Sequence, residues 1–322
     1  MKVVLTGASG FVGRALGNAL LATSRVTAVT GLVRAPVTGV GFDTRIVHDL
    51  SDKKGLRDSF RGADVVVHLA ARAHVLGDES PEPLSEFRRV NVEGTLNVAK
   101  AALESGVSRL VFLSSIGVNG NKTEGNPFSE KSTPDPVSDY ALSKWEAEES
   151  LRNLCAGSLM ELVIVRPPLV YAGQAPGNFG RLLKLVSAGI PLPFGAVSNL
   201  RSMVALDNLV DFLQSCILHP EARNETFLIS DGEDLSLAQI IGCLAEGMSK
   251  RVILVPVPVA ILSFGANILG KGAIIEQLCG SLQVDAGKAR RVLGWTPVVN
   301  ARQALKDAGK HYSLRKSAGG GA

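Results

Sequence analysis

The chain is poor in the features that mark several protein classes. Its four cysteines, Cys155, Cys216, Cys243 and Cys279, lie far apart and form no Cys-x-x-Cys pair. That spacing argues against a disulfide framework or a metal site and predicts buried apolar thiols in a reducing compartment. Aromatic residues make up only 5%, and no basic run carries interleaved aromatics, so no nucleic-acid partner is expected. Charged residues are 20% of the chain, and 34 bases against 30 acids leave a net charge of +4. Such a balance does little more than favour a phosphate-bearing small molecule. Long hydrophobic runs are scarce as well. Val3-Val4-Leu5 stops at Thr6-Gly7, too short for the apolar part of a signal peptide. Residues 252–269 carry no charge, yet Pro256 and Pro258 interrupt them and Ser263, Gly265 and Asn267 dilute them. This stretch predicts a strand entering a buried helix, with no stable membrane insertion. A cytoplasmic location follows as the expectation.

Apolar residues are abundant, at 46% of 322. That length suits one large domain or two lobes sharing an interface. Short β-branched runs at 2–6, 26–33, 45–48, 64–69, 109–114 and 162–165 alternate with amphipathic stretches at 13–21, 90–105 and 138–154. Alternation of this kind predicts an α/β fold, a Rossmann-type doubly wound parallel sheet. After Arg166 the pattern changes, because Pro167-Pro168, Gly173, Pro176-Gly177, Pro191, Pro193 and Gly195 predict loops rather than sheet. Residues 226–230 read as one further strand. We therefore expect a dinucleotide-binding domain over 1–166, rejoined by about 204–230. A smaller substrate-binding lobe is expected over 167–203 and 231–316, and a Gly/Ala-rich disordered tail over 317–322.

Gly7-Ala8-Ser9-Gly10-Phe11-Val12-Gly13 follows the first strand and opens a helix. The three glycines permit a tight turn, close approach of backbone to a pyrophosphate, and close helix–strand packing. An acid that binds the ribose 2′-hydroxyl of NAD would stand about 20 residues further on. Val33 occupies that place and Arg34 follows, a cation suited to the 2′-phosphate of NADP. The cofactor is thus NADP or NAD, with NADP favoured; a solvated loop arginine is the plain alternative. Asp49 and Leu50 are placed to meet an adenine, by accepting from its amino group and packing on its ring.

Tyr140 and Lys144 are four apart and share a helix face. A nearby ammonium, with the positive nicotinamide of an oxidised cofactor, would bring the phenol down from its ordinary value near ~10. Ser115 closes a predicted strand, where its hydroxyl can meet the same substrate oxygen as Tyr140. Each of these residues alone also has a bland reading, as half-buried tyrosine, solvated lysine or turn serine.

Together with His68-Leu69-Ala70-Ala71, Asn91-Val92-Glu93-Gly94-Thr95, Arg166-Pro167, Arg201-Ser202-Met203-Val204, Asp207-Asn208 and Leu293-Gly294-Trp295-Thr296-Pro297, these motifs resemble the extended short-chain dehydrogenases/reductases, in their nucleotide-sugar epimerase/dehydratase branch. The resemblance covers most of the chain. It implies that Tyr140 is the acid/base, that Lys144 holds the nicotinamide ribose, and that Ser115 orients the sugar. It places Leu69, Ala70, Ala71, Asn91, Leu113, Pro167 and Val170 around the cofactor, beside Ser9, Phe11 and Val12 of the glycine loop. Arg201 falls where such enzymes meet the phosphates of a UDP-linked sugar, and Asn178 is a second candidate for that ligand. Dehydratases of this branch follow the catalytic hydroxyl residue with Asp-Glu; Ile116-Gly117 here cannot transfer protons, which argues against dehydration. Asn119 replaces the tyrosine of the branch's Val-Tyr-Gly stretch, so substrate contacts at that edge are expected to differ. The resemblance favours a 4-ketoreductase acting on a UDP-4-keto-6-deoxy acetamido sugar in surface-polysaccharide (O-antigen) synthesis. A UDP-glucose or UDP-N-acetylglucosamine 4-epimerase with retained NAD is the alternative, and a non-catalytic dinucleotide sensor the minor one. A homodimer is expected by analogy alone.

Overall fold

A computed structural model describes residues 1–73, 82–268, 270 and 272–319. In chain order, β1 (Lys2–Thr6), α1 (Phe11–Leu21), β2 (Ala28–Val33), β3 (Asp43–Ile46), α2 (Lys53–Phe60) and β4 (Val65–His68) open the fold. They are followed by α3 (Pro83–Arg88), a π-helical turn at Arg89–Glu93, α4 (Gly94–Glu104), β5 (Arg109–Leu113), α5 (Asp139–Cys155) and β6 (Glu161–Arg166). Then come β7 (Leu169–Tyr171), α6 (Gly177–Ser187), β8 (Met203–Ala205), α7 (Leu206–Leu218), β9 (Thr226–Leu228) and α8 (Leu237–Gly247). The last are α9 (Val259–Ile268), α10 (Gly272–Cys279), α11 (Gly287–Leu293) and α12 (Ala301–Gly319).

The main sheet has the order β3-β2-β1-β4-β5-β6-β9, and every pairing is parallel. Parallel strands need both faces covered, and their side chains divide accordingly. Val3 and Leu5, Val65 and Val67, Val111, and Val163 and Val165 enter one core with α1 and α7. Val4, Val66, Leu110 and Phe112, and Leu162 and Ile164 enter the other, with α2, α4 and α5. Strand order reverses on either side of β1, so the crevice opens at the carboxyl ends of β1 and β4. Arg109, 7% exposed, ties the start of β5 to α7 by donating to the carbonyls of Cys216, Ile217 and His219. A second core gathers Tyr171, Phe179, Leu183 and Leu192 with α8 and the first turns of α12.

Three regions depart from the sequence-based expectation. The stretch after Arg166 holds a short parallel pair, β7 with β8, which three residues apiece make too brief for any periodic signal. It also holds α6, whose Phe179, Leu183 and Val186 bury one face despite the flanking Pro and Gly. Residues 252–258 form no regular strand, only a bridge from Leu254 to Leu192, and α9 has no buried residue. The buried helix expected there is therefore a surface helix. At the carboxyl end α12 continues through Gly319, so a helix replaces the disordered chain expected over 317–319; residues 320–322 lie outside the described residues. Among the described residues no helix is long and apolar enough to cross a membrane.

Candidate active site

The glycine loop turns at the crevice for a steric reason. Gly7 has φ +66°, and a Cβ there would sit 2.7 Å from the Ala70 nitrogen. A Cβ on Gly13 would sit 2.3 Å from the Gly7 carbonyl, so only glycine lets α1 start this close to β1. No side chain caps α1 at Gly10, and its first turn carries no acid. The first N–H groups thus face outward, suited to an anion. Around them, half-buried Phe11, Val12, Leu69, Leu113 and Val170 all rim the same core. Pro167 is buried, and its carbonyl accepts from the Ile116 N–H at 2.9 Å, which sets it beside Ser115. Ser9 and Ala71 are exposed and Ala70 half-buried, Ala70 donating its N–H to Thr6 Oγ1 at 3.3 Å. An uncapped helix start beside an apolar rim fits a dinucleotide.

At the end of β2, Val33 is buried in the core, while Arg34 is exposed just beyond the strand. Asp49 accepts from the Ser51 N–H at 2.7 Å and lies 3.5 Å from Arg89. The first of these, then the Arg89 charge, holds its carboxyl below the usual value. Leu50 packs toward Gly94, where an added Cβ would be 3.0 Å away.

Ser138 caps α5 by accepting from the Ala141 N–H, which places Tyr140 in the first turn. Ser115 follows β5 and accepts from the Gly117 N–H at 3.1 Å. A Cβ on Gly117 would lie 3.2 Å from Ala141 Cβ and 3.4 Å from Ser115 Oγ. Gly117 therefore lets the Ser115 turn pack directly on the turn that carries Tyr140. Lys144 is 1% exposed, with its Nζ 4.0 Å from the Phe112 ring centroid. Burial pushes Lys144 down to about 7, opposed by Glu148. Burial also pushes the Tyr140 phenol up to about 12, although the residue as a whole is half-buried. The lowering of Tyr140 expected from Lys144 is thus not a property of the protein's own groups. Lys144 Nζ lies over the Phe112 ring, and desolvation of the phenol itself sets the direction of its shift.

Asn91 is buried, and both of its amide hydrogens are used within the protein. They go to the Arg72 carbonyl at 3.1 Å and Ser143 Oγ at 2.9 Å, while its oxygen accepts from the Arg72 N–H. Ser143 in turn donates to the Tyr140 carbonyl at 2.8 Å. These bonds tie Asn91 to the Tyr140 turn through Ser143 and leave one lone pair of its side-chain oxygen free of those contacts. Behind it runs a chain that sequence reading passed over. Thr95 donates to the Asn91 carbonyl, so its oxygen accepts from His68 Nε2–H at 2.9 Å. His68 Nδ1 then accepts from the Thr6 hydroxyl at 2.6 Å. These partners suit neutral His68, which burial, aided by the Lys144 charge, pushes down to about 3.

A second cluster lies one turn further along α5 from Lys144. Glu148, fully buried, accepts from Ser114 Oγ and from two nitrogens of Arg166. The remaining Arg166 nitrogen donates to Asn119 at 3.0 Å. Asn119 is itself 1% exposed, so its pairing with Arg166 lies in the interior. Asn178 and Arg201 meet elsewhere, on α10. Asn178 donates to the Gln277 side chain at 3.3 Å, and Arg201 to the Gln277 and Gly280 carbonyls. Arg201 faces carbonyl oxygens rather than a carboxylate in these contacts, and desolvation lowers its pKa.

Comparison with known proteins follows these features. Residues 3–230 match the model of the NAD dependent epimerase/dehydratase family. A Vibrio cholerae protein described as UDP-glucose 4-epimerase is 41% identical, covering 97% of this chain and 95% of its own. An Escherichia coli O157:H7 protein, N-acetyl-alpha-D-glucosaminyl-diphospho-ditrans,octacis-undecaprenol 4-epimerase, is 30% identical over 89% and 88%. The solved UDP-glucose 4-epimerase of Thermotoga maritima, with UDP-glucose, shares the fold at a TM-score of 0.78; it is 21% identical, covering 99% of this chain and all of that one. This chain therefore belongs to the NAD dependent epimerase/dehydratase family and is an enzyme of that type.

Proposed function

We propose that the protein is a 4-epimerase of a nucleotide sugar, UDP-linked, working with one retained NAD. The observation that carries this reading is the 41% identity, across nearly the whole of both chains, to a protein described as UDP-glucose 4-epimerase. When bound, the dinucleotide supplies both hydride acceptance and hydride return, so no net reductant is needed. Tyr140 takes the proton of the C4 hydroxyl as that carbon is oxidised, and returns it to the keto oxygen once the sugar has turned its other face. Ser115 donates to the same oxygen, Lys144 holds the nicotinamide ribose, and Arg201 with Asn178 takes the diphosphate. Because burial pushes the phenol up to about 12, Tyr140 carries its proton whenever the ring beside it is uncharged, and that proton is available to a keto oxygen that gains hydride. Its phenolate forms when the positive nicotinamide of NAD is next to it. Ile116-Gly117 carry no proton-transferring group, which argues against dehydration.

Arg34 supports a second reading, the NADPH-dependent 4-ketoreductase, because it is an exposed cation just beyond β2 and a guanidinium can pair with the 2′-phosphate of NADP. One experiment separates the two. The purified protein is denatured and the released nucleotide identified, and UDP-N-acetylglucosamine and UDP-glucose are supplied to the intact protein without added cofactor. Released NAD with C4 inversion is expected. No retained nucleotide, with NADPH consumed by a UDP-4-keto-6-deoxy sugar, would establish the reductase instead. Tyr140→Phe is expected to lower turnover by about 10²–10⁴-fold with cofactor affinity retained. Turnover like that of the wild type would remove Tyr140 from the mechanism.

A further inference from the structure

Among the described residues, six of the fourteen exposed large hydrophobic side chains fall in one segment, Ile253–Ile268. On α9, Ile261, Phe264 and Ile268 are 61%, 70% and 71% exposed. Their spacing puts them on a single helix face. Leu262, on the other side, packs on the second core and so fixes which face looks outward. The chain leading in has the same two-sided character. Val252 and Leu254 pack inward, while Ile253 is 66% exposed and Val255 also looks out. Ile190 extends the patch, because its neighbour Leu192 bridges to Leu254. Exposed apolar side chains grouped in this way mark an interaction site.

The charges around it indicate the partner. From Gly247 to Ile275 the sequence has no acidic residue, while Lys250 and Arg251 are basic. Lys250 and Arg251 are exposed, and Lys250 lies against the Ser187 carbonyl at the end of α6, where Lys184 is exposed as well. A second copy docked through this same patch would set like charges together with no acid in the segment to balance them. An anionic lipid surface complements both the apolar face and its basic border. With ten residues α9 is about 15 Å long, half of what a bilayer core requires, so it suits lying in an interface rather than crossing it.

We infer that the Ile253–Ile268 face docks this protein on an anionic phospholipid bilayer surface, with Phe264, Ile261 and Ile268 entering the headgroup region. Gln277 of α10, which packs against α9, holds Asn178 and Arg201, so docking brings the candidate diphosphate site close to that surface. The inference rests on surface composition alone and stands or falls separately from the substrate reading.

The test is co-sedimentation of the whole protein with phosphatidylglycerol/phosphatidylethanolamine vesicles and with phosphatidylcholine vesicles. Sedimentation with the anionic vesicles alone, weakened by salt, is expected. Phe264→Ser should reduce partitioning about tenfold or more, and Arg251→Gln about fivefold. Thermal transitions should not move, because both side chains are exposed. As an independent readout, Phe264→Trp should be quenched by brominated anionic lipid beyond the level set by Trp145 and Trp295 in the parent. Absence of vesicle binding, equal binding by Phe264→Ser, or no added quenching of Phe264→Trp would each overturn the inference. A dimer that Phe264→Ser dissociates, without vesicle binding, would assign the face to a second copy instead.

Discussion

β4 and α9 are both apolar, yet one is wholly buried and the other has no buried residue. β4 lies between β1 and β5 and is covered on both faces by helices, so each of Val65, Val66 and Val67 meets a partner. α9 packs on α10 and, through Leu262, on the second core, and its remaining face meets none of the three larger cores. Hydrophobicity states what an element is able to bury, and its neighbours decide whether it does. The polar groups are distributed in reverse. Around β4 and β5 the interior holds His68, Thr95, Lys144, Glu148 and Arg166, each satisfied by a protein partner or an aromatic face. Candidate catalytic geometry thus depends on burial around β4 and β5, and candidate docking on its absence at α9.

The contrast predicts unequal costs, which thermal and denaturant unfolding will measure. Glu148→Ala strands Arg166 and Ser114 in the interior, at a cost of about 3–5 kcal/mol. A cost under about 1 kcal/mol would mean that water relieves the cluster. Leu110→Ala, in the middle of β5, should cost about 2–5 kcal/mol through lost burial and a residual cavity.

Next comes a pH effect. His68 has a folded value of about 3 against an ordinary 6.5, so between those limits the unfolded chain binds the extra proton. Its contribution is fully present above pH 6.5 and is lost as pH falls toward 3, at about 1.4 kcal/mol per pH unit. His68→Gln should flatten that acid-side slope in urea titrations at several pH values. An unchanged slope would show that other groups carry it.

These costs also explain what was legible in the sequence. β1, β5 and β6 announce themselves because continuous β-branched and apolar runs are what a two-faced parallel sheet demands. β7 and β8 pair as three-residue strands, and the fold rather than local propensity makes them strands. Tyr140 and Lys144 were visible because their spacing is local to one helix. The Thr6–His68–Thr95 chain was not, since its links join residues 62 and 27 positions apart. Glu148 had the look of one more surface glutamate between Glu146 and Glu149, and only the packing of α5 on the sheet buries it. α9 misled for the opposite reason: its composition suits a core element, and the absence of a covering layer is a tertiary fact.

The smallest effect tests the contrast most directly. Phe264 is among the largest side chains on α9, and composition alone would class it with Phe112 of β5. Phe112 is fully buried between His68 and the Lys144 ammonium, so its replacement by alanine should cost about 3–5 kcal/mol. Phe264 is 70% exposed and already sheds little surface on folding, so Phe264→Ala should change stability by no more than about 0.5 kcal/mol. A comparable loss at both sites, read from guanidinium unfolding of the two variants, would show that the α9 face is covered in solution even without lipid. A near-zero change at Phe264 together with a large one at Phe112 would leave α9 as apolar surface that the fold keeps but does not need for its own stability.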